Sequence, residues 1–167
     1  DGVVRGIGDY GNSFGIPVIG GEVYFDESYE GNPLVNAMSI GLVEAGKTVS
    51  AISEGIGNPV IIVGASTGRD GIHGATFSSA VLTEESPSSA VQIGNPIEEK
   101  KVTDALIQAR DKRLYTCVTD CGAGGFSSAV GEMAEDTGAE VELKDALLKH
   151  AGMLPWEIWL SESQERM

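Results

Sequence analysis

Basic residues are scarce in this chain: 11 Lys and Arg stand against 25 Asp and Glu, a formal net charge of −14 over 167 residues. A surface of that sign repels phosphodiester backbones and anionic lipid, so neither a nucleic acid nor a membrane is an expected partner. If the ligand is a phosphate, a metal ion and a few local cations must offset the protein's own field. Cysteine is nearly absent. Cys117 and Cys121 are the only two, their C-x3-C spacing comes with two scattered histidines, His73 and His150, and no zinc site follows from that set. No apolar run approaches the roughly 18 residues of a membrane span, and no signal peptide is evident. The expected compartment is therefore cytoplasmic, with both thiols reduced and structural, one in a strand and one in the turn after it.

What is abundant is glycine. The 23 glycines are about twice the average share of roughly 7%. They cluster between apolar runs, where a backbone must turn tightly or approach a ligand closely. The length suits one domain of ordinary size. The chain begins Asp1-Gly2-Val3 and stops at Met167 soon after an apolar run, so it reads as an internal piece of a longer protein.

Val3, Ile7, Tyr10 and Phe14 recur at helical spacing, and Gly15 follows as a C-terminal stop. Residues 16–19, 22–25 and 34–43 read as apolar strands joined by an acidic loop, which suggests antiparallel pairing. Residues 44–58 are polar and small, a boundary between two lobes. Residues 59–63 read as a buried strand leading into a glycine-rich loop, 64–74, and residues 83–89 as exposed loop. Asn95 is an N-cap, Pro96 takes the first helical position and Glu98 completes a capping-box-like start, with Val102, Ala105, Leu106 and Ala109 as the buried face. Residues 114–119 predict a strand, 126–136 a helix, 139–143 a strand, then a short helix to His150 and a strand over 156–160. Phe-Ser-Ser-Ala-Val occurs at 77–81 and again at 126–130, each after a glycine-rich turn, too short a match to claim duplication. The fold class expected is α+β to α/β.

Four places have chemistry to offer. Asp120 closes a predicted strand and precedes four small residues and a helix. Ligands of open α/β sheets gather at such strand ends, and helix N-termini favour anions. An aspartate there serves either as a cap or turn residue, or as a ligand for Mg²⁺ set between it and phosphate. Gly68-Arg69-Asp70-Gly71-x-x-Gly74 is either a tight turn or an anion-binding loop, in which Gly68 and Gly71 expose backbone N–H groups and Arg69 forks onto oxygens. It lacks the Gly-Lys-Ser/Thr ending of a P-loop. Gln92 and the run Ser161-Glu162-Ser163-Gln164 carry donors and acceptors for hydroxyls and amides, or are simply solvated. Neither histidine is assigned to catalysis.

An ordered set of motifs runs through the chain: Gly11-Asn12-Ser13-Phe14-Gly15-Ile16-Pro17-Val18-Ile19-Gly20-Gly21-Glu22, Asn32-Pro33-Leu34-Val35-Asn36, and Gly68-Arg69-Asp70-Gly71-Ile72-His73-Gly74-Ala75. Val91-Gln92-Ile93-Gly94-Asn95-Pro96, Asp120-Cys121-Gly122-Ala123-Gly124-Gly125 and Leu160-Ser161-Glu162-Ser163-Gln164-Glu165-Arg166-Met167 continue it. The series resembles the synthetase subunits of phosphoribosylformylglycinamidine synthases, in the aminoimidazole-ribonucleotide synthetase superfamily, over nearly the whole chain.

The resemblance implies part of an ATP-dependent, Mg²⁺-using ligase of purine biosynthesis. It would convert formylglycinamide ribonucleotide and ammonia from glutamine into the formylglycinamidine ribonucleotide, releasing ADP and phosphate. Its partners would be a glutaminase subunit or domain and the remaining half of the same synthetase. By resemblance, Gln92, Glu162, Ser163 and Gln164 would bind the ribonucleotide and Asp120 would ligate the metal. The catalytic histidine and much of the ATP site are expected outside the chain, which alone would be inactive. Cys121 after Asp120 departs from the familiar pattern, a change expected to be neutral. The implied architecture is the end of an A-type lobe (1–45; a helix plus antiparallel strands), a linker (46–58) and most of a B-type lobe (59–167; a mixed sheet with helices). Two other classes remain open: a related phosphoryl-transfer enzyme, such as a selenophosphate synthetase or thiamine-phosphate kinase, and a non-catalytic ligand-binding or assembly module.

Overall fold

The computed structural model describes residues 1–31, 33–74, 83 and 91–167. Regular secondary structure among them is helical. Helix α1 spans Gly2–Phe14 and ends as expected, Gly15 taking a left-handed φ of 88° with its N–H on the Gly11 carbonyl. A 3-10 turn follows at Glu27–Tyr29, capped by the Asp26 carboxylate on the Ser28 N–H. Helix α2 is Pro96–Asp111, with Asn95 as N-cap and Pro96 in the first turn. Helix α3 is Phe126–Met133, shorter than the 126–136 expected, and helix α4 is Pro155–Leu160. A second 3-10 turn lies at Leu143–Asp145.

The α+β to α/β reading is overturned. None of the apolar runs at 16–25, 34–43, 59–63, 114–119 and 139–143 forms a strand, and only two isolated bridges occur among the described residues, Gly64 with Arg166 (antiparallel) and Thr67 with Leu148 (parallel). Strand propensity measures how well side chains fit a pleated, half-buried surface; a ladder further needs a facing row of N–H and C=O groups. The runs lack that row here, and many of their apolar side chains stand in solvent, Ile19 at 85% and Phe25 at 95% exposure, whereas Val63, Tyr115, Cys117 and Val118 are half-buried. The short helix expected before His150 is a 3-10 turn.

The strand expected over 156–160 is helix α4. Proline occupies its first turn, and the Glu157 carboxylate reaches back to the Leu154 N–H at 2.7 Å, as a capping side chain does. In so short an apolar run, periodicity does not separate strand from helix.

The core is small. Cys121, Phe126, Ala129, Met153 and Ile158 are buried together, with Leu143, Ala146 and Trp159 packed against them. Helix α3 therefore presents Phe126 and Ala129 to α4 and the chain before it. Burial of Phe126 alone is worth about 1.5–3 kcal/mol. Helix α1 lies against α2, whose buried residue is Val102, while Ala105 of the expected apolar face is exposed. Residues 46–58, expected as a linker, are tied down at three points: Val118 N–H to the Ser50 carbonyl at 3.0 Å, Ser53 N–H to the Met133 carbonyl at 2.8 Å, and the Ser53 and Thr137 hydroxyls at 3.0 Å. Asn32 and Ala75 of the sequence motifs, the repeat at 77–81 and most of the loop at 83–89 lie outside the described residues.

So much exposed apolar surface favours self-association. At micromolar concentration the 167-residue chain is expected to scatter light as a multimer. The double variant Ile19→Lys/Leu42→Lys should shift it towards monomer; a wild-type chain that is cleanly monomeric would remove the premise.

Candidate ligand-binding strip

After α4 the chain runs straight through Ser161, Glu162, Ser163, Gln164, Glu165 and Arg166. Ser161 and Ser163 are fully buried, whereas Glu162 and Gln164 are half-buried on the opposite side. Two-residue alternation would turn Arg166 outward with them. It does not, because Glu165 adopts a left-handed φ of 60°, rare for a residue with a Cβ. Its side chain is anchored on both sides: Oε1 accepts the Asn95 N–H at 2.7 Å and the Tyr10 hydroxyl at 3.1 Å. Tyr10 also reaches Glu99. Burial, then the Glu99 and Glu165 carboxylates, push its phenol well above the ordinary value, so it remains a donor.

Arg166 turns inward and is 2% exposed. Its Nε donates to the Ser163 carbonyl at 2.8 Å, Nη2 to the Ser161 carbonyl at 2.7 Å and Nη1 to Thr67 Oγ1 at 2.9 Å. The guanidinium also sits over the Phe126 ring, 4.5 Å from its centroid. Burial lowers its pKa from the ordinary value. Arginine keeps its proton under any such burial, so the charge persists and the acceptors must be there to meet it.

The Ser163 hydroxyl accepts from the Gly68 N–H at 2.7 Å and the Ser161 hydroxyl at 3.1 Å, and donates to Asp70. That is the full capacity of a hydroxyl, one donor and two acceptors. Asp70 also takes Lys149 Nζ at 2.9 Å. Burial alone would raise the Asp70 carboxyl, but the Ser163 hydroxyl and the Lys149 ammonium outweigh it and hold the carboxyl below the ordinary range.

Backbones meet closely around the strip. A Cβ on Gly64 would lie 2.0 Å from the Glu165 carbonyl oxygen, and one on Gly125 1.9 Å from the Ser161 carbonyl oxygen. Gly125 further holds φ 56° and ψ −130° at the start of α3. Only glycine fits there.

The sequence-predicted residues divide as follows. Gln92 and Glu162 are brought together: the Gln92 amide donates to one Glu162 oxygen, and the Gly124 N–H to the other at 3.0 Å. Gln164 and Asp120 line one shallow hollow of about 120 Å³ together with Glu99, Gly122, Glu165 and Arg166. Ser163 faces inward, its hydroxyl committed to the protein. In the glycine-rich loop, Gly68 serves Ser163, Gly71 backs onto Glu162, and Arg69 pairs with Glu157 at 2.8 Å. The Arg69 partner lowers the Glu157 pKa, helped by the Leu154 N–H. Asp120 is exposed, and no group of three His, Cys, Asp or Glu side chains suited to a metal occurs among the described residues. Sequence reasoning gave no role to Thr67, Asp70, Lys149 or Arg166. Their contacts bridge 79 to 99 residues, and no local pattern marks them.

The family model described as AIR synthase related protein, C-terminal domain, matches residues 55–167, and its N-terminal counterpart matches residues 1–43. The chain belongs to the AIR synthase related family. It is 53% identical over 176 aligned positions to the phosphoribosylformylglycinamidine synthase subunit PurL of Chlorobium chlorochromatii, covering 100% of this chain and 23% of that relative. It thus spans about a quarter of the length of the curated relatives it matches. Among solved structures, it is similar to Thermotoga maritima PurL complexed with FGAR (TM-score 0.91, 41% identity, 99% of this chain and 28% of the other). The same comparison with that PurL complexed with ATP gives a TM-score of 0.83 at 37% identity, over 99% and 26% of the two chains. With the structure of PurLQS from the same organism it gives 0.82 at 39% identity, again over 99% and 26%.

Two stability measurements probe this AIR synthase related fold. Gly125→Ala should cost about 3 kcal/mol or more, since strain and a backbone clash coincide, whereas Gly131→Ala, exposed within α3, should gain about 0.4–1 kcal/mol; urea unfolding reads both. For Asp70 the depressed folded-state pKa means stability that is present above the unfolded value and lost as pH falls through the folded one. Asp70→Asn should therefore flatten the acid limb of the stability curve below about pH 4, in thermal melts taken from pH 6 to pH 2; an unchanged limb would contradict the Asp70–Lys149–Ser163 cluster.

Proposed function

We propose that this chain supplies the ribonucleotide-binding strip of an ATP-dependent ligase of purine biosynthesis. The ligase converts formylglycinamide ribonucleotide and ammonia into formylglycinamidine ribonucleotide, with ADP and phosphate released. The observation that carries the proposal is the similarity to PurL along the full chain, including the PurL complexed with FGAR.

The residues support that reading by position. Glu162 and Gln164 leave the strip on its open side, and Gln92 stands against Glu162. Together they offer carboxylate acceptors and amide donors suited to ribose hydroxyls and to an amide. A ligand hydroxyl that donates to Glu162 takes over an acceptor now serving Gln92, so binding exchanges one hydrogen bond for another. Ser163 contributes by shaping the strip, through its backbone and through the loop it holds. Gly68, Arg69 and Gly71 form the anion-binding side of the proposal; Arg69 would have to exchange Glu157 for phosphate oxygens.

Asp120 fits Mg²⁺ as a single carboxylate. That ion commonly takes one or two protein carboxylates and fills its octahedron with water and substrate phosphates, which accords with an exposed aspartate outside any group of three metal-suited side chains among the described residues. Bound there, the ion would supply positive charge against the phosphates in a protein whose net charge is −14. The chain's own residues hold and orient the ribonucleotide while its amide oxygen takes the terminal phosphoryl group of ATP. Ammonia then attacks the amide carbon and phosphate leaves.

The division proposed is an A-type part at 1–45, a linker at 46–58 and a B-type part at 59–167. Proposed partners are the remaining half of the synthetase and a glutaminase subunit, in the cytoplasm. Among the described residues no helix is long and apolar enough to cross a membrane.

The test is an assay of the protein at its full encoded length for ATP- and ammonia-dependent amidine formation. Asp120→Asn is expected to lower kcat at least tenfold with partial recovery at high Mg²⁺, and Glu162→Gln to raise KM for the ribonucleotide at least tenfold. Full activity in Asp120→Asn would sink the metal assignment. Ribonucleotide binding without any turnover would favour a non-catalytic binding module.

A further inference from the structure

We infer that Arg166 is the positioning residue of the ribonucleotide strip: its buried guanidinium fixes the carbonyls of Ser161 and Ser163, and thereby aims the Glu162 and Gln164 side chains at the ligand. The inference rests on the proposed ribonucleotide site. It goes beyond that site because the Arg166 guanidinium donates to the Ser161 and Ser163 carbonyls and to Thr67, and to neither the Glu162 nor the Gln164 side chain.

Three donor nitrogens of one rigid plane meet three acceptors in different directions, two of them in the strip and the third, Thr67 Oγ1, in the facing loop. The carbonyls of Ser161 and Ser163 flank Glu162 on either side. With both held, the Glu162 Cα has one orientation, and its N–H is pinned to the Asp70 carbonyl at 2.9 Å. Gln164 lies between the second of these carbonyls and the left-handed Glu165, so its direction is fixed by the same two anchors. The fourth side of the guanidinium is closed by the Phe126 ring, the first residue of α3. The clamp thus locks the strip to the turn whose Gly124 N–H meets Glu162.

Lysine cannot replace this arrangement. It keeps the positive charge, but a single ammonium does not reach three acceptors spread along a fork. Arg166→Lys therefore separates charge from geometry. Thr67→Val removes one acceptor, keeps volume and serves as the milder variant if Arg166→Lys folds poorly.

The experiment has two arms, both on the protein at its full encoded length and well below its melting temperature. In steady-state kinetics, Arg166→Lys should raise KM for formylglycinamide ribonucleotide at least tenfold and leave KM for ATP within about twofold; Thr67→Val should shift the same constant two- to fivefold. In amide hydrogen exchange without ligand, the N–H groups of Gly68, Glu162 and Ser163 should exchange at least tenfold faster in Arg166→Lys, with α2 unchanged. Unaltered KM for the ribonucleotide, or parallel loss for both substrates, would overturn the inference. So would exchange that rises uniformly, the mark of a merely structural residue. If the wild-type protein does not use the ribonucleotide, the proposed function fails, and the exchange pattern alone decides whether Arg166 positions the strip.

Discussion

A guanidinium shut away from water organises the strip that follows the last helix. Arg166 is 2% exposed, and its charge persists because arginine does not give up its proton under burial. Such a group is tolerated only where oxygens surround it, and removing them leaves an unpaired buried charge. Its requirements therefore propagate. The carbonyls of Ser161 and Ser163 must point inward, Thr67 must approach from the facing loop, and Phe126 must cover the remaining face. Once the strip is held this way, Ser163 falls between Gly68 and Asp70, and Lys149 completes the carboxylate's neutralisation. Each polar group is placed by the one before it.

The sequence announced those parts of the fold that depend on near neighbours. Asn95 followed by Pro96 marks the start of α2, and Gly15 the end of α1, because caps act within one turn of helix. Strands are another matter. Residues 16–25 and 34–43 have the composition of strands, but a strand exists only with a partner whose identity lies elsewhere in the chain or beyond it, and composition carries no information about that partner. The misreading of 156–160 has a different cause. Pro155 and Glu157 supply the start of a helix, while the four apolar residues Trp156, Ile158, Trp159 and Leu160 are too short a run to show which period they follow.

In the strip, the local signal lay in residues that the structure turns outward. Gln92, Glu162 and Gln164 carry amide and carboxylate groups at the ends of apolar runs, a local signal, and the motif resemblance gave them roles. The inward side was not legible. Arg166 looks like a surface arginine in a polar tail, and Asp70 like a turn residue between glycines. Only the three-dimensional approach of segments 93 to 99 residues apart makes them buried partners. Glycine abundance shows the same division. The sequence suggested tight turns or close approach to a ligand, whereas Gly64 and Gly125 are small because carbonyl oxygens of the strip itself press against them.

This arrangement separates a buried, hydrogen-bonded face from an outward one along six residues, and the proposed recognition would use the outward one. Alternation lets one face of an extended segment be buried and hydrogen-bonded while the other remains available. Ser161 and Ser163 spend their hydroxyls and carbonyls on the protein's interior, and Glu162 and Gln164 point the other way, where Gln92, the Gly124 N–H and the Glu162 carbonyl are their partners. A recognition surface built on a mobile loop would have to lose conformational freedom when ligand arrives. Here that ordering is set in advance by the protein's own interior. The left-handed turn at Glu165 is what makes this possible: without that one reversal, Arg166 would face outward with Glu162 and Gln164, and the strip would have neither its clamp nor its anchor to Asn95 and Tyr10. An unfavourable backbone conformation at a single residue is thus the condition for pre-organising the two side chains on either side of Ser163.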